Sequence, residues 1–221
     1  MELREKARWI RLRLEGVFGA PAPRPPQPPL DQLISTILSQ NTNDANSERA
    51  FQALRAAFPT WEQVRDAPPQ AVIAAIRSAG LANQKGPRIQ AVLGEITAQR
   101  GELSLDFLAG WSAEDAQRWL LQFHGVGHKT AAIVLLFSLG KPAFPVDTHV
   151  QRVSGRLGLR PAGMNAEKAH AHLAALFPPE SYYAVHMNLI RLGREVCHAR
   201  RPDCPNCPLK AACDYFAGLN R

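Results

Sequence analysis

Apolar residues recur at steps of three and four along nearly the whole chain. LDQLISTILSQ, AFQALRAAF, QAVIAAIRSAG, RIQAVLGEITAQR and SAEDAQRWLLQF each carry that spacing, which gathers their apolar side chains on one helical face. Pro59, Pro68-Pro69, Gly80, Gly101 and Gly110 fall between these stretches as stop signals. KTAAIVLLFSLG is apolar on nearly all sides and predicts a helix buried in a core, capped by Gly140 with Pro142 close behind. HVQRVSGRLGL, AEKAHAHLAAL and YYAVHMNLIRLGREVC continue the helical pattern, and a first amphipathic helix is predicted over about Leu3–Phe18. The segment GAPAPRPPQPP, Gly19–Pro29, holds six prolines and reads as an extended connector between that helix and the body. No convincing run alternates apolar and polar residues as strands do, so the pattern predicts an all-α fold.

Composition narrows the class. Hydrophobic residues make up 46% of 221, enough for packed cores and too many for a disordered chain. No apolar stretch approaches the length of a membrane span, and the N-terminal MELREKARWIRLRLEGVF is charged throughout, unlike a secretory signal. The expected compartment is therefore reducing and cytoplasmic. A net charge of +7 and a pI near 9.6 favour a polyanionic partner without identifying one.

All four cysteines lie in CHARRPDCPNCPLKAAC, spaced C-x6-C-x2-C-x5-C as Cys197, Cys204, Cys207 and Cys213. Disulfides fit a reducing compartment poorly and would staple little outside so short a tail. Structural zinc usually shows two short ligand pairs separated by a longer loop, whereas only one short pair is present here. The spacing leans towards an iron–sulfur cluster, for which cysteine is the usual ligand, and leaves zinc open.

In FHGVGHKTAAIVLL, Gly125 and Gly127 flank Val126, and a helix is predicted directly afterwards. Such a hairpin would aim free N–H groups outward at the positive helix end, a phosphate grip without sequence readout; alone it could equally be a tight turn. Lys129 falls at the helix start, where desolvation and the helix dipole both disfavour its charge. An ordinary lysine titrates near ~10.4 and attacks poorly at neutral pH, but a lysine held towards neutrality can form a Schiff base. The other reading is a solvated surface lysine. In FPVDTHVQRV, Asp147 precedes a helical pattern and reads as an N-cap or as a carboxylate facing a developing sugar cation. Both roles hold if a single oxygen makes the cap.

FHGVGHKTA, VDTH and the C-x6-C-x2-C-x5-C tail, in this order, resemble the endonuclease III family of helix–hairpin–helix DNA glycosylases with a 4Fe–4S cluster. The similarity runs from LDQLISTILSQNTND to the last cysteine. It implies two helical domains, 30–139 ending in the helix–hairpin–helix motif and 1–29 plus 140–221 holding the cluster, with a DNA-binding cleft between them. The same resemblance assigns the cluster to Cys197, Cys204, Cys207 and Cys213. Lys129 becomes the nucleophile, Asp147 its catalytic partner, and His149 a residue near the lesion. Gly125, Val126 and Gly127 would hold DNA phosphate. Family members flip a damaged nucleotide out of the duplex and fill the gap with side chains. Gln40 or Asn41 of LSQNTND matches the gap-filling place, with Gln40 preferred because Gln40-Asn41-Thr42 then fits a Q-x-T pattern. The stretch GLANQKGPRI resembles the family's loop carrying an intercalating leucine, so Leu81 matches that wedge. Two departures are His124, where proline is frequent, and His128, where arginine is.

The implied protein is a monomeric bifunctional glycosylase and abasic-site lyase, nucleoid-associated, acting on double-stranded DNA with oxidised or damaged pyrimidines or abasic sites. Rival expectations are a monofunctional mismatch or adenine glycosylase, against which Lys129 argues, and a non-catalytic iron–sulfur DNA-binding protein.

Overall fold

A computed structural model describes residues 2–22 and 25–219, so Pro23 and Arg24 of the connector lie outside the described residues. The chain forms two compact units, Pro26–Lys141 and Met1–Pro25 with Pro142–Arg221. Every regular element among the described residues is helical, and no helix among them is long and apolar enough to cross a membrane.

The first helix, α1 (Leu3–Phe18), buries Ala7, Ile10 and Leu14, one stripe at steps of three and four. In the unit Pro26–Lys141 the central element is α2 (Pro29–Leu38), opened by a proline whose missing N–H costs nothing at a helix start. Leu33, Ile34, Ile37 and Leu38 of α2 are fully buried, each worth about 1.5–3 kcal/mol of apolar transfer. Next in the chain come α3 (Asp44–Ala57), α4 (Trp61–Asp66) and α5 (Pro69–Ala75), and α3 packs on α2. A 3-10 turn over Arg77–Ala79 leads into α6 (Ala82–Arg100), and α7 (Ala113–Leu121) comes next. Side chains start three of these helices: Asn43 accepts from the Asn46 N–H, Thr60 from Gln63 and Ser112 from Asp115.

Two stretches differ from the sequence expectation. GLANQKGPRI, expected as a loop, is helical from Ala82 onward. Pro87 is the sixth residue of α6 and, lacking an N–H, cannot donate to the Asn83 carbonyl. Gly86 lets α5 approach, since a Cβ there would lie 2.9 Å from Ile73 Cγ1. KTAAIVLLFSLG, expected as one buried helix, is α8 (His128–Ile133) and then a π-helical segment over Val134–Ser138. Leu136 to Leu139 are only half-buried. Gly140 at φ +61° closes it as expected, and the Lys141 N–H returns to the Leu135 carbonyl at 2.8 Å.

The other unit joins α1 to α9 (Thr148–Arg156), α10 (Ala166–Ala174), α11 (Tyr182–Glu195) and α12 (Asp214–Leu219). The helix α11 packs on both α1 and α9. The Asn188 amide donates to the Gly19 carbonyl at 3.1 Å, fixing the end of α1 to α11.

Candidate active-site residues and a cysteine cavity

The hairpin between α7 and α8 is tightened by the Val126 N–H donating to the Phe123 carbonyl at 3.0 Å. Phe123 and Val126 are buried, so the hairpin is anchored by its apolar residues and offers backbone outward. Gly125 has φ +84°, and a Cβ on it would fall 2.3 Å from Arg88 Cδ. Glycine is thus required twice, by conformation and by the close approach of α6. Gly127 is the exposed N-cap of α8 with no side-chain cap, so the first N–H groups of the helix have no intrahelical acceptors. Lys129 is the second residue of α8 and is half-exposed, next to buried Thr130.

Gln40 lies against this hairpin. Its Nε2 donates to the Gly125 carbonyl at 3.1 Å, and its Oε1 accepts from Arg88 Nη1 at 3.1 Å. Both ends of its amide are therefore engaged inside the unit. Asn41, by contrast, is exposed and sits at φ +54°. Leu81 is the N-cap of α6 at φ +51° and is 47% exposed. A leucine on left-handed backbone is strained, and strain of that kind clusters at functional positions. Arg201 is the other non-glycine residue with positive φ among those described.

In the other unit, Asp147 stands at the end of an extended segment whose Ala143 to Val146 are buried. Two buried histidines hold that segment. His170 Nδ1 lies 2.9 Å from the Phe144 carbonyl and His186 Nδ1 3.0 Å from the Pro145 carbonyl. A carbonyl only accepts, so Nδ1 carries the proton in both rings. Asp147 caps α9 through Oδ1, which accepts from the Val150 N–H at 2.7 Å; Oδ2 has no hydrogen-bond partner among the described residues. The carboxylate is half-buried, so the cap leaves one oxygen for other work.

His149 Nδ1 lies 3.0 Å from Arg152 Nη2. Arginine only donates, so this nitrogen accepts and the ring is neutral with its proton on Nε2. Burial is the main influence pushing the His149 pKa below its ordinary 6.5; the Asp147 carboxylate opposes it, while Arg152 and Arg194 reinforce it. Arg152 also donates to the Gly193 and Cys197 carbonyls at 2.8 and 3.0 Å.

Cys197, Cys204, Cys207 and Cys213 are unpaired, half-buried, and line one small cavity of about 20 Å³. No three His, Cys, Asp or Glu side chains among the described residues converge closely enough to grip a single ion. The thiols instead stand around the walls. Arg156 Nη1 donates to Cys197 Sγ at 3.3 Å, and the guanidinium also reaches the His198 and Ala199 carbonyls at 2.6 and 3.0 Å. Burial first, then the neighbouring thiolates at Cys213 and Cys197, push the Cys204 pKa up. Burial likewise pushes up Cys207. Cys204 and Cys207 thus resist ionising, and a cationic centre in the cavity would let them ionise. Four cysteines around one cavity are the donor set that a cysteine-ligated cluster uses. Lys210, in the same loop, donates to the Pro205 carbonyl at 2.7 Å.

Sequence reasoning missed Lys85, Arg88, Arg152, His170 and His186. Lys85 and Arg88 recur at helical spacing after Leu81, but a buried lysine breaks the burial rule that a pattern reading relies on.

Residues 34–179 match the family described as HhH-GPD superfamily base excision DNA repair protein. A relative from Arabidopsis thaliana named as a DNA glycosylase is 39% identical over 165 residues, which are 75% of this chain and 56% of that protein. Endonuclease III of Thermotoga maritima is 34% identical over 188 residues, covering 85% of this chain and 84% of the relative. A solved structure of a trapped endonuclease III–DNA covalent intermediate is 28% identical, covers 100% of both chains and superposes with a TM-score of 0.84. The chain therefore spans little more than half the length of the plant relative and most of the bacterial one.

Proposed function

From a chain that belongs to the HhH-GPD superfamily, and within it to the endonuclease III family, we propose a bifunctional DNA glycosylase and abasic-site lyase acting on damaged pyrimidines in duplex DNA. The observation that carries this reading is Lys129 in the first turn of α8, directly behind the Gly125–Val126–Gly127 hairpin. The hairpin offers backbone N–H groups to a phosphate while the lysine amine faces the sugar.

In the proposed reaction the damaged nucleotide leaves the stack, because chemistry on a stacked base is blocked. Lys129 Nζ attacks C1′ as the N-glycosidic bond breaks, and the departing base takes up a proton. The charge developing on the sugar is met by Asp147, whose Oδ2 is not used by the helix cap. The Lys129 amine then stands in Schiff-base linkage to the opened deoxyribose. Loss of a C2′ proton expels the 3′ phosphate, and water releases the lysine. Asn41 and Leu81 are the proposed DNA-inserting side chains. Gln40 is reassigned as a strut, since its amide is committed to Arg88 and Gly125. His149, neutral at physiological pH by virtue of its burial, offers its Nε2–H as a hydrogen-bond donor near Asp147.

Cys197, Cys204, Cys207 and Cys213 would hold a 4Fe–4S cluster. When bound it supplies the positive charge that keeps four thiolates ionised and fixes the loop 197–213.

Borohydride trapping on a duplex with an abasic site or thymine glycol tests the reaction. The wild type yields a covalent adduct, and Lys129→Ala yields none. Tight duplex binding with no adduct from the wild type would overturn the lyase assignment. Iron and acid-labile sulfide, expected at about four each per chain, test the cluster independently, and one zinc per chain would overturn it.

A further inference from the structure

Lys85 is 1% exposed, the bulkiest fully buried side chain among the described residues. Burying an ammonium is expensive unless a carboxylate pairs with it, and here none does among the described residues. The ammonium instead donates to the Leu38 carbonyl at 2.7 Å and the Ala79 carbonyl at 2.8 Å. Leu38 is the last residue of α2, and Ala79 the last of the 3-10 turn Arg77–Ala79. Both oxygens are helix-end carbonyls without an intrahelical partner, at the negative end of a dipole, so one cation satisfies two orphan acceptors.

The residues just beyond these two carbonyls give the arrangement its meaning. Asn41, exposed at φ +54°, comes three residues after Leu38. Leu81, 47% exposed at φ +51°, comes two residues after Ala79. Lys85 also belongs to the helix that Leu81 opens, and its own N–H donates to the Leu81 carbonyl at 2.9 Å. One residue thus holds the roots of both outward-pointing turns, although those turns are about forty positions apart in sequence. A buried hydrophobe would pack as well, but it would leave both carbonyls unpaired and the two roots untied.

We infer that Lys85 is a positioning residue, a buried tie that makes the Asn41 and Leu81 turns enter DNA as one rigid two-pronged unit. The inference rests on the proposed reading that these side chains occupy the stack when a nucleotide is flipped. It adds that neither prong works alone, because their spacing is set by a third residue that never touches DNA.

The test compares wild type, Lys85→Met, Leu81→Ala and the double variant. A duplex with 2-aminopurine beside an abasic-site analogue reports unstacking by fluorescence and requires no chemistry. Borohydride trapping on abasic DNA is run on duplex and on single strand, where nothing has to be prised apart. Lys85→Met should lower the duplex-to-single-strand rate ratio about 10- to 100-fold, the usual consequence of misplacing a positioned group by about 1 Å, and reduce the fluorescence rise in step. Adding Leu81→Ala should make neither readout appreciably worse, because the two changes act on one device. Equal losses on duplex and single strand, or effects that multiply in the double variant, would overturn the inference. A wild type that forms no adduct would remove the proposed reaction, while the fluorescence arm would still decide the role of Lys85. Should Lys85→Met fail to fold, Lys85→Arg takes its place: it keeps the charge but not the geometry, and the same pattern is expected.

Discussion

Gly125→Ala tests how tightly the hairpin is bound to its surroundings. The structure separates two costs. The first is conformational, because φ is +84° and an alanine in left-handed backbone costs about 1–2 kcal/mol. The second is steric. The new Cβ would lie 2.3 Å from Arg88 Cδ and 2.4 Å from Nε, so the arginine must swing away and release Gln40 Oε1. Losing that half-buried hydrogen bond adds about 1–2 kcal/mol. The total of about 2–4 kcal/mol corresponds to a melting point lower by about 5–15 °C in a chain of this size. Gly101→Ala supplies the control, since φ is +75° but nothing lies within 4 Å of the added Cβ. It should show the conformational cost alone. Urea unfolding of both variants, each in wild-type and Arg88→Ala backgrounds, separates the contributions. In the Arg88→Ala background the Gly125 penalty should fall to that of Gly101. A Gly125→Ala penalty equal to that of Gly101→Ala in the wild-type background, or one unaffected by removing Arg88, would refute the steric account.

Asp147→Asn keeps a good N-cap while removing the charge, so activity should collapse with the melting point nearly unchanged; Asp147→Ala should in addition lose about 1 kcal/mol by calorimetry. His186→Ala leaves the buried Pro145 carbonyl without that donor and opens a cavity, which should cost about 2–4 kcal/mol in urea unfolding. The depressed pKa of His149 means that the unfolded chain binds this proton more readily than the folded one. The associated stability is present above the ordinary 6.5 and is lost as pH falls through the lowered folded value, so wild type and His149→Gln should differ in pH dependence only on the acid side of 6.5. Cys207→Ser should lower the iron and sulfide content of the purified protein, and unchanged content would exclude that thiol as a ligand.

Much of the helical layout was legible because apolar spacing and glycine or proline stops are local signals. They foretold α1 to the residue at both ends, and the cap at Gly140. The π-helical segment over Val134–Ser138 was not legible, since an extra residue in a turn leaves the apolar pattern nearly unchanged. Asp147 as a cap could be read from its place ahead of a helical run, but His170 and His186 could not. Their partners are carbonyls 26 and 41 residues away, and nothing local marks a buried histidine. The same holds for Gln40 and Asn41. Both residues fitted the same role by pattern, which favoured Gln40; the engagement of the Gln40 amide by Arg88 and Gly125 is a long-range contact that no local pattern marks.

The unit that carries the cysteines is built from both ends of the chain, while the stretch Pro26–Lys141 is continuous. During synthesis, the continuous stretch can therefore collapse as soon as it has left the ribosome. The helix α1, although made first, has to wait for α11 to cover Ala7, Ile10 and Leu14. At roughly 5–20 residues per second that delay lasts about ten to forty seconds. Throughout it an amphipathic, basic helix stays uncovered, and the four thiols follow α11. The four thiols are made only after α11, so a nascent chain that stalls before α11 presents an uncovered N-terminal helix to chaperones and proteases while none of its cysteines has yet been made.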